Sequence, residues 1–293
     1  STYVDSLPKL VNNKTRRIHT SYNQTGSSTG RVSSNDPNIQ NIPVRTSLGN
    51  KVRTAFVAEN APKQILLSAD YSQIELRVLA HFSQDPSLIK AFHNQEDIHS
   101  STAASVYGVP INKVTDDMRR ISKIMNFGVL YGLSAYGIEQ QTGLSRKEGS
   151  EFIETYFGKY PRVRTYIDST KGIVRSRGFV ETLLGRRRYI NEVESSNYAV
   201  RAAGERMAIN MPIQGTAADI IKIAMINIQR RIDDLAFRSK MIIQVHDELI
   251  FEVPKNELEQ LKLILLDLMP SAMTLAVPLE ADLKTGYNWG NMS

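Results

Sequence analysis

Two segments with the pattern of β-strands, far apart in the sequence, most constrain how this chain folds. The first is an apolar run that predicts a buried strand over residues 65–70 and ends at Asp70. The second spans residues 240–253, where apolar stretches flank Asp247 and Glu248, as in two strands joined by a tight turn. If these strands lie side by side in one sheet, acidic side chains from opposite ends of the sequence converge at one sheet edge.

Most of the chain between these two segments has the spacing of α-helices. Apolar residues recur every three to five positions from residue 71 to about 238, with breaks at prolines and glycines. A helix over 258–269 and a last strand over 277–283 follow, while residues 25–43 predict a long loop. The order of strand, long helical stretch, hairpin, helix and strand predicts an α+β fold, in which a sheet domain carries an inserted helical domain.

Composition excludes several classes of protein. Hydrophobic and charged residues make up 41% and 23% of the 293 residues, the ordinary proportions of a globular chain. No apolar run approaches the ~18 residues of a membrane span, and the absence of cysteine excludes disulfide scaffolds and cysteine nucleophiles. The net charge is +6, with bases in excess before residue 205 and acids in excess after it. With this distribution the basic part of the chain could bind a polyanion beside a cation site in the acidic part. The charged residues that keep an ordinary protein soluble could be distributed in the same way.

Asp70 and Asp247 are candidate metal ligands, and Glu248 lies beside Asp247 at the tip of the predicted hairpin. Two carboxylates on rigid strands, completed by water and phosphate oxygens, form a typical Mg²⁺ site, and a pair of such ions stabilises both the attacking and the leaving oxygen in phosphoryl transfer. A structural alternative stays open, because Asp70 precedes Ser72-x-x-Glu75, which has the pattern of a capping box at a helix start. The tips of β-hairpins are also commonly polar, so the acids at residues 247 and 248 have a structural interpretation as well.

A stripe of two cations and two aromatic rings lies in the helical segment 116–132. Its members recur every four residues and so form one slowly drifting line on a helix: Arg119, Lys123, Phe127 and Tyr131. A core face would be apolar throughout, and a solvent-facing one would seldom carry two rings. The order therefore favours cations for a triphosphate followed by rings for a sugar and base.

A second series with the same spacing carries hydrogen-bond donors: Arg206, Asn210 and Gln214. Donors of this kind reach the minor-groove acceptors that every base pair presents, and so test the shape of a pair without reading its sequence. Polar helix faces are common, and the series by itself leaves that simpler interpretation open.

Four segments, in order along the chain, resemble the motifs of family A DNA polymerases, the bacterial DNA polymerase I group. Residues 70–77, Asp-Tyr-Ser-Gln-Ile-Glu-Leu-Arg, are similar to the first catalytic motif. Residues 119–132 resemble the nucleotide-binding helix of the fingers, and residues 244–248 resemble the second carboxylate motif. Residues 29–31 with 38–43 resemble the primer–template loop. The similarity extends through nearly the whole chain.

The resemblance implies a metal centre at the carboxylates. Asp70, Asp247 and the carbonyl of Tyr71 would bind two Mg²⁺ ions, for which Mn²⁺ can substitute, and Glu248 would lie close by. The primer–template end would be held by five further side chains: Arg31, Arg206, Asn210, Gln214 and His246.

The resemblance also implies a nucleotide site. Three side chains would hold the triphosphate: Arg119, Lys123 and His99, the last near the β-phosphate. Lys123 would in addition protonate the leaving pyrophosphate. Phe127 would pack on the incoming sugar and base, Tyr131 would guard the insertion site, and Glu75 would block a ribose 2′-hydroxyl.

The implied protein is a DNA-templated DNA polymerase core that binds primer–template DNA and dNTPs. It transfers a dNMP to the primer 3′-hydroxyl and releases pyrophosphate. The implied right-hand architecture has an antiparallel-sheet palm over residues 1–80 and 205–293, and helical fingers over 81–204. The end of the thumb would lie in the first palm segment, and most of the thumb and the exonuclease-type domain would precede the chain, so that no proofreading is expected.

We further expect a monomer in the bacterial nucleoid, with an organelle or phage origin left open. The first alternative is a non-catalytic primer–template binding fragment of a larger polymerase. A second is a relative of single-subunit RNA polymerases, which share the carboxylate chemistry, and Glu75 argues against it.

Overall fold

The structure, a computed structural model, describes residues 3–43, 46–132 and 135–293. Its strands are β1 (Ser21–Asn23), β2 (Ser33–Asn35), β3 (Gln64–Tyr71), β4 (Phe179–Glu181), β5 (Arg187–Tyr189), β6 (Lys240–Val245), β7 (Glu248–Pro254) and β8 (Ala281–Gly286). Its helices are α1 (Ser47–Thr54), α2 (Ile74–Ser83), α3 (Pro86–His93), α4 (Ile98–Tyr107), α5 (Asp116–Leu130), α6 (Ala135–Thr142), α7 (Arg146–Lys159), α8 (Pro161–Arg177), α9 (Tyr198–Asp234) and α10 (Leu258–Leu268).

The chain divides into two compact units. The sheet unit comprises Ser1–Ser72, Ala218–Met273 and Leu279–Ser293, and the helical unit comprises Gln73–Ala217 and Thr274–Pro278. The mixed helix-and-sheet content confirms the α+β class predicted from the order of elements. None of the helices that the structure describes is both long and apolar enough to cross a membrane.

A four-stranded antiparallel sheet, in the order β6-β7-β3-β8, forms the centre of the sheet unit. Its central strands, β3 and β7, are mostly buried, because both of their faces are covered. On one face, Leu66 and Ile250 pack with Ile39, Ile42 and Trp289. Complete burial of each such side chain stabilises the fold by roughly 1.5–3 kcal/mol. This packing fixes the register of β3 against β7.

The opposite face of β3 is tied to the end of α10. Tyr71 is buried, and its hydroxyl donates to the backbone carbonyl of Met269 at 2.7 Å. Burial raises the pKa of Tyr71 far above its ordinary value, so the phenol keeps its proton and remains a donor. The strand end that carries Asp70 is therefore held rigidly.

Several helices of the helical unit begin at a side chain that caps the helix. Asp97 caps α4 by accepting from the backbone N–H of His99, and Thr115 caps α5 by accepting from that of Met118. Two acids in the first turn of α5 complement the helix dipole. These caps fix where α4 and α5 begin.

Three predicted local features are wrong in detail. The last strand is β8 rather than residues 277–283, because Pro278 has no N–H to donate to a sheet, and Val277 is buried outside the strand. The predicted loop 25–43 contains β2, which pairs with β1. The capping box at Ser72 is absent, since α2 begins at Ile74 after a left-handed Gln73, and the Ser72 hydroxyl donates to Asp282 instead.

Candidate active site

A row of three carboxylates crosses the sheet at the end of β3. Asp70 is directly opposite Glu248 of β7 on one side and Asp282 of β8 on the other. Directly opposed residues of antiparallel strands project from the same face. The sheet therefore brings Asp70 and Glu248 together, as expected. It adds Asp282, which the sequence analysis did not single out.

Two serines hold the outer members of this row. The hydroxyl of Ser68 donates to Oε1 of Glu248 at 2.5 Å, and the hydroxyl of Ser72 donates to Oδ2 of Asp282 at 2.5 Å. Hydrogen bonds to a carboxylate are stronger than those between neutral groups. The two outer carboxylates are thus oriented by their neighbours.

The turn between β6 and β7 places Asp247 next to this row. His246 and Asp247 form the two-residue turn, with the exposed His246 in a left-handed conformation at φ 55°. The backbone N–H of Tyr71 donates to the carbonyl of Asp247 at 3.2 Å, which joins the turn to the end of β3. Gln244, itself bonded by Gln40, donates to the His246 carbonyl and so braces the turn from the other side.

The clustered acids change the charge state of Asp70. Desolvation by the surrounding protein, followed by repulsion from Asp247, Glu248 and Asp282, raises the pKa of Asp70 to about 7, although the residue keeps exposed surface. Lys284 opposes the shift. A divalent cation bound among these oxygens would relieve the repulsion.

The carboxylate and carbonyl oxygens at this site fit a hard cation such as Mg²⁺, which prefers oxygen ligands. Several of the oxygen ligands of a protein-bound Mg²⁺ ion usually come from water or from the substrate. No group of three or more His, Asp or Glu side chains in the described part of the chain is already arranged to hold a metal ion. A cation here would therefore rely on Asp70, Asp247, a backbone carbonyl and oxygens that the substrate supplies.

Arg31 is placed in the sheet unit, in the loop between β1 and β2. It is half-buried and follows Gly30, whose φ of 79° is a conformation that glycine adopts at little cost. Lys222 of α9 donates to the Gly30 carbonyl and so ties this loop to the sheet unit.

In the helical unit, Arg119 of α5 is oriented by the start of α4. Its Nε lies 2.5 Å from Oδ2 of Asp97, an oxygen that also accepts from the hydroxyl of Ser100. The other carboxylate oxygen of Asp97, Oδ1, accepts from the backbone N–H of His99. Burial raises the pKa of Asp97, but the hydrogen bonds from Arg119 and Ser100 outweigh it and leave the pKa lowered. Asp97 is the second residue that the sequence analysis missed, although an acid one residue before a helix is a recognisable cap signal.

Lys123, one turn further along α5, is exposed, and no hydrogen bond or ion pair of the described residues involves its ammonium group. Half-buried Phe127 follows it and faces the ring of His99, with 5.8 Å between centroids. The predicted order of cation, cation and ring is thus present on one helix.

His99 is only 2% exposed, and its Nδ1 lies 2.9 Å from Nδ2 of Asn126. Burial lowers its pKa to about 4; the charge of Asp97 opposes this, while Lys123 and Arg119 add to it. The imidazole is neutral at physiological pH.

The stripe ends at Tyr131, directly after α5, where its hydroxyl donates to Oε2 of Glu75 at 2.9 Å. Glu75 lies in the first turn of α2 and is 8% exposed. The structure therefore joins Tyr131, which the resemblance places at the insertion site, to Glu75, which it assigns to the exclusion of a ribose 2′-hydroxyl.

Arg206 of α9 packs against the segment that follows Tyr131. A Cβ added at Gly132 would lie 2.7 Å from Cγ of Arg206, and Gly132 has a φ of 62°, so both space and backbone require glycine. Asn210 and Gln214 are partly exposed, whereas Ile209 and Ile213 beside them are buried. The donor series thus occupies the more open side of α9.

Comparison with known proteins identifies the class to which this arrangement belongs. Residues 1–291 match the family model described as DNA polymerase family A, and the chain is a member of this family. This confirms the resemblance inferred from the four motifs.

Its relatives are DNA polymerases I. The chain is 51% identical over 289 residues to the thermostable DNA polymerase I of Thermus filiformis, covering 99% of this chain and 34% of that protein. For DNA polymerase I of Pseudomonas aeruginosa the identity is 49%, with 99% and 31% coverage. The chain thus spans about a third of the length of these relatives.

A solved structure matches the fold closely. It is the POL domain of Pol1 from M. smegmatis in complex with a DNA primer–template and dNTP. The TM-score is 0.94 and the identity 47%, over 98% of this chain and 50% of that one.

Proposed function

We propose that this chain is the core of a DNA-templated DNA polymerase, which adds a dNMP from a dNTP to a primer 3′-hydroxyl and releases pyrophosphate. The observation that carries the proposal is the position of Asp70, between Glu248 and Asp282 in the sheet and beside the Asp247 turn. Membership of family A, and the primer–template and dNTP bound by a similar domain, support it.

In this proposal the sheet unit is the palm and the helical unit the fingers. The carboxylates of Asp70 and Asp247, with the Tyr71 carbonyl, would hold two divalent cations, Mg²⁺ or in its place Mn²⁺. When bound, such ions lower the pKa of the primer hydroxyl and stabilise charge that develops on the leaving pyrophosphate. Glu248, held by Ser68, would add negative charge beside them.

The helical unit would bind the incoming nucleotide. Arg119, aimed by Asp97, and the exposed Lys123 would bind the triphosphate, and Lys123 would donate a proton to the pyrophosphate. His99 would contact the β-phosphate. Phe127 would pack on the sugar and base, and Glu75, held by Tyr131, would exclude a 2′-hydroxyl.

DNA contacts would come from both units. Arg31 and His246 would contact the primer–template end from the sheet unit, and Arg206, Asn210 and Gln214 from α9 of the helical unit. The donors on Arg206, Asn210 and Gln214 would reach minor-groove acceptors that are common to all base pairs, so binding would depend on pair geometry rather than sequence. Phosphate contacts would make the affinity fall with salt.

A primer-extension assay on the purified chain tests this function. With primer–template, Mg²⁺ and four dNTPs, we expect products whose sequence follows the template, and EDTA should abolish them. Omitting the one dNTP that the template requires should stop extension at that position. Primer–template binding without any extension would contradict the enzymatic proposal and support the non-catalytic fragment.

A further inference from the structure

A hydrogen-bonded network behind His99 determines which nitrogen of its ring carries the proton. The contact between Nδ2 of Asn126 and Nδ1 of His99, at 2.9 Å, requires one donor and one acceptor. The amide NH₂ group can only donate, so in this arrangement Nδ1 accepts. The orientation of the amide therefore decides the tautomer.

Thr102 fixes that orientation. Its hydroxyl donates to Oδ1 of Asn126 at 3.2 Å, which leaves the amide nitrogen facing His99. Thr102 and Asn126 are 0% and 1% exposed, so the protein itself has to satisfy their polar groups. The pair lies on the facing sides of α4 and α5.

Tyr160 starts the network. Its hydroxyl lies 3.3 Å from that of Thr102, and burial raises its pKa to about 12, which keeps the phenol protonated. A phenol is a stronger acid than an aliphatic alcohol, and is therefore the better donor of the two. The hydrogen bonds then run in one direction, from Tyr160 through Thr102 and Asn126 to His99.

We propose that Asn126 is a positioning residue that holds His99 as the neutral Nε2–H tautomer, so that the imidazole presents a hydrogen-bond donor to a phosphate oxygen of the incoming nucleotide. The phosphate contact rests on the proposed function, whereas the tautomer does not. No described residue hydrogen-bonds to Nε2 of His99, which leaves that N–H for a ligand. In the other tautomer, a lone pair at Nε2 would repel the same phosphate oxygen.

The electrostatic surroundings agree with a neutral donor. The positive charges of Arg119 and Lys123 on α5 disfavour a charged imidazole, while the negative charge of Asp97 at the start of α4 opposes them. The two cations would attract the negative charge of a triphosphate, and the fixed N–H of His99 would orient one phosphate oxygen through a hydrogen bond.

Nuclear magnetic resonance of the whole chain labelled with ¹⁵N-histidine measures the tautomer directly. The signal of His99, one of five histidines, is identified by its loss in His99→Gln. Near neutral pH we expect a protonated Nε2 and an unprotonated Nδ1. A protonated Nδ1 in the wild-type chain would overturn the proposal. Because this measurement needs no catalysis, it remains decisive even if the chain extends no primer.

Asn126→Asp tests the role of the amide while keeping its shape. The new carboxylate can still accept from Thr102, but it accepts rather than donates at His99, so Nδ1 must carry the proton. Above the raised pKa of His99 in this variant, Nε2 loses its proton; below it, the imidazolium regains the donor. We expect Kd for dNTP with Mg²⁺ to weaken ~10-fold at about pH 9 relative to wild type and to recover towards about pH 6.

Variants at Thr102 provide the matched control. Thr102→Ser keeps the hydroxyl and should retain the wild-type tautomer and the wild-type pH dependence of Kd for dNTP. Thr102→Val removes the hydroxyl and should give a mixture of tautomers. An equal loss of dNTP affinity at every pH in Asn126→Asp would show a merely structural role and refute the proposal.

Discussion

Asp70 and Glu248 lie directly opposite each other on neighbouring antiparallel strands, and Asp282 faces Asp70 from the third strand. Each outer acid is held by a serine hydroxyl, whereas Asp70 carries the raised pKa. Like charges placed this close destabilise the folded chain in the absence of a cation. Repulsion among carboxylates at the end of a strand is typical of a site that binds a cation.

The stability of the metal-free chain should depend on the protonation of Asp70. The pKa of Asp70 rises from 3.8 to about 7 on folding, so the folded chain retains a proton that the unfolded chain releases. The free energy of unfolding should therefore fall as pH rises from about 4 through about 7. Above that range, Asp70→Asn should stabilise the chain by ~1 kcal/mol after solvent screening of this exposed group, or ~2–4 °C in Tm.

Thermal unfolding in EDTA and in Mg²⁺ checks this. Mg²⁺ should raise the Tm of the wild-type chain and raise that of Asp70→Asn less. Asp267→Asn, an exposed acid on α10, is the control and should behave as wild type. A lower Tm for Asp70→Asn at every pH in EDTA would contradict the electrostatic account.

Sugar selection should depend on the pair Glu75 and Tyr131. Glu75→Ala removes the carboxylate and opens space for a 2′-hydroxyl, so the preference for dNTP over rNTP should fall ~10-fold or more. Tyr131→Phe keeps the ring and removes only the hydrogen bond of 2.9 Å, and its effect should be smaller. The ratio of kcat/KM for the two substrates measures this, and unchanged selectivity in Glu75→Ala would remove the residue from the sugar site.

Lys123→Ala should slow nucleotide addition by ~10²-fold, the scale of losing a charged acid–base group. Single-turnover extension separates this rate from DNA binding, which should persist. Lys113→Ala is the matched control, because Lys113 is also an exposed lysine close in sequence to α5. Equal rates for both variants would exclude Lys123 from the reaction.

Phe127→Tyr should increase incorporation of dideoxynucleotides, because the added hydroxyl would lie at the sugar position that the proposal assigns to this ring. Competition between a dideoxynucleotide and its dNTP in primer extension gives the ratio. Phe157→Tyr, on α7, serves as the control. If both variants discriminate as wild type does, Phe127 does not contact the sugar.

Local patterns in the sequence predicted much of this arrangement. The apolar run before Asp70, the hairpin around Asp247 and the stripe on α5 each reflect burial or spacing within a single element. The observed β3, the β6–β7 pair and α5 match those predictions. Such signals are local, because they depend on residues within one element.

The remaining features depend on long-range pairing. Asp282 joins the carboxylate row only because β8 pairs with β3 in one register, and a shift by one residue would turn it to the other face. The bonds from Thr102 to Asn126 and from Asn126 to His99 depend on how α4 packs on α5. No periodicity in the sequence encodes these contacts.

The most direct measurement is primer extension by Asp70→Asn and Asp247→Asn, with primer–template affinity measured on the same samples. We expect each variant to bind DNA about as well as wild type and to lose extension by ~10³-fold or more in Mg²⁺, while Asp267→Asn extends normally. Wild-type rates of extension in either variant would contradict the claim that these two carboxylates form the catalytic centre.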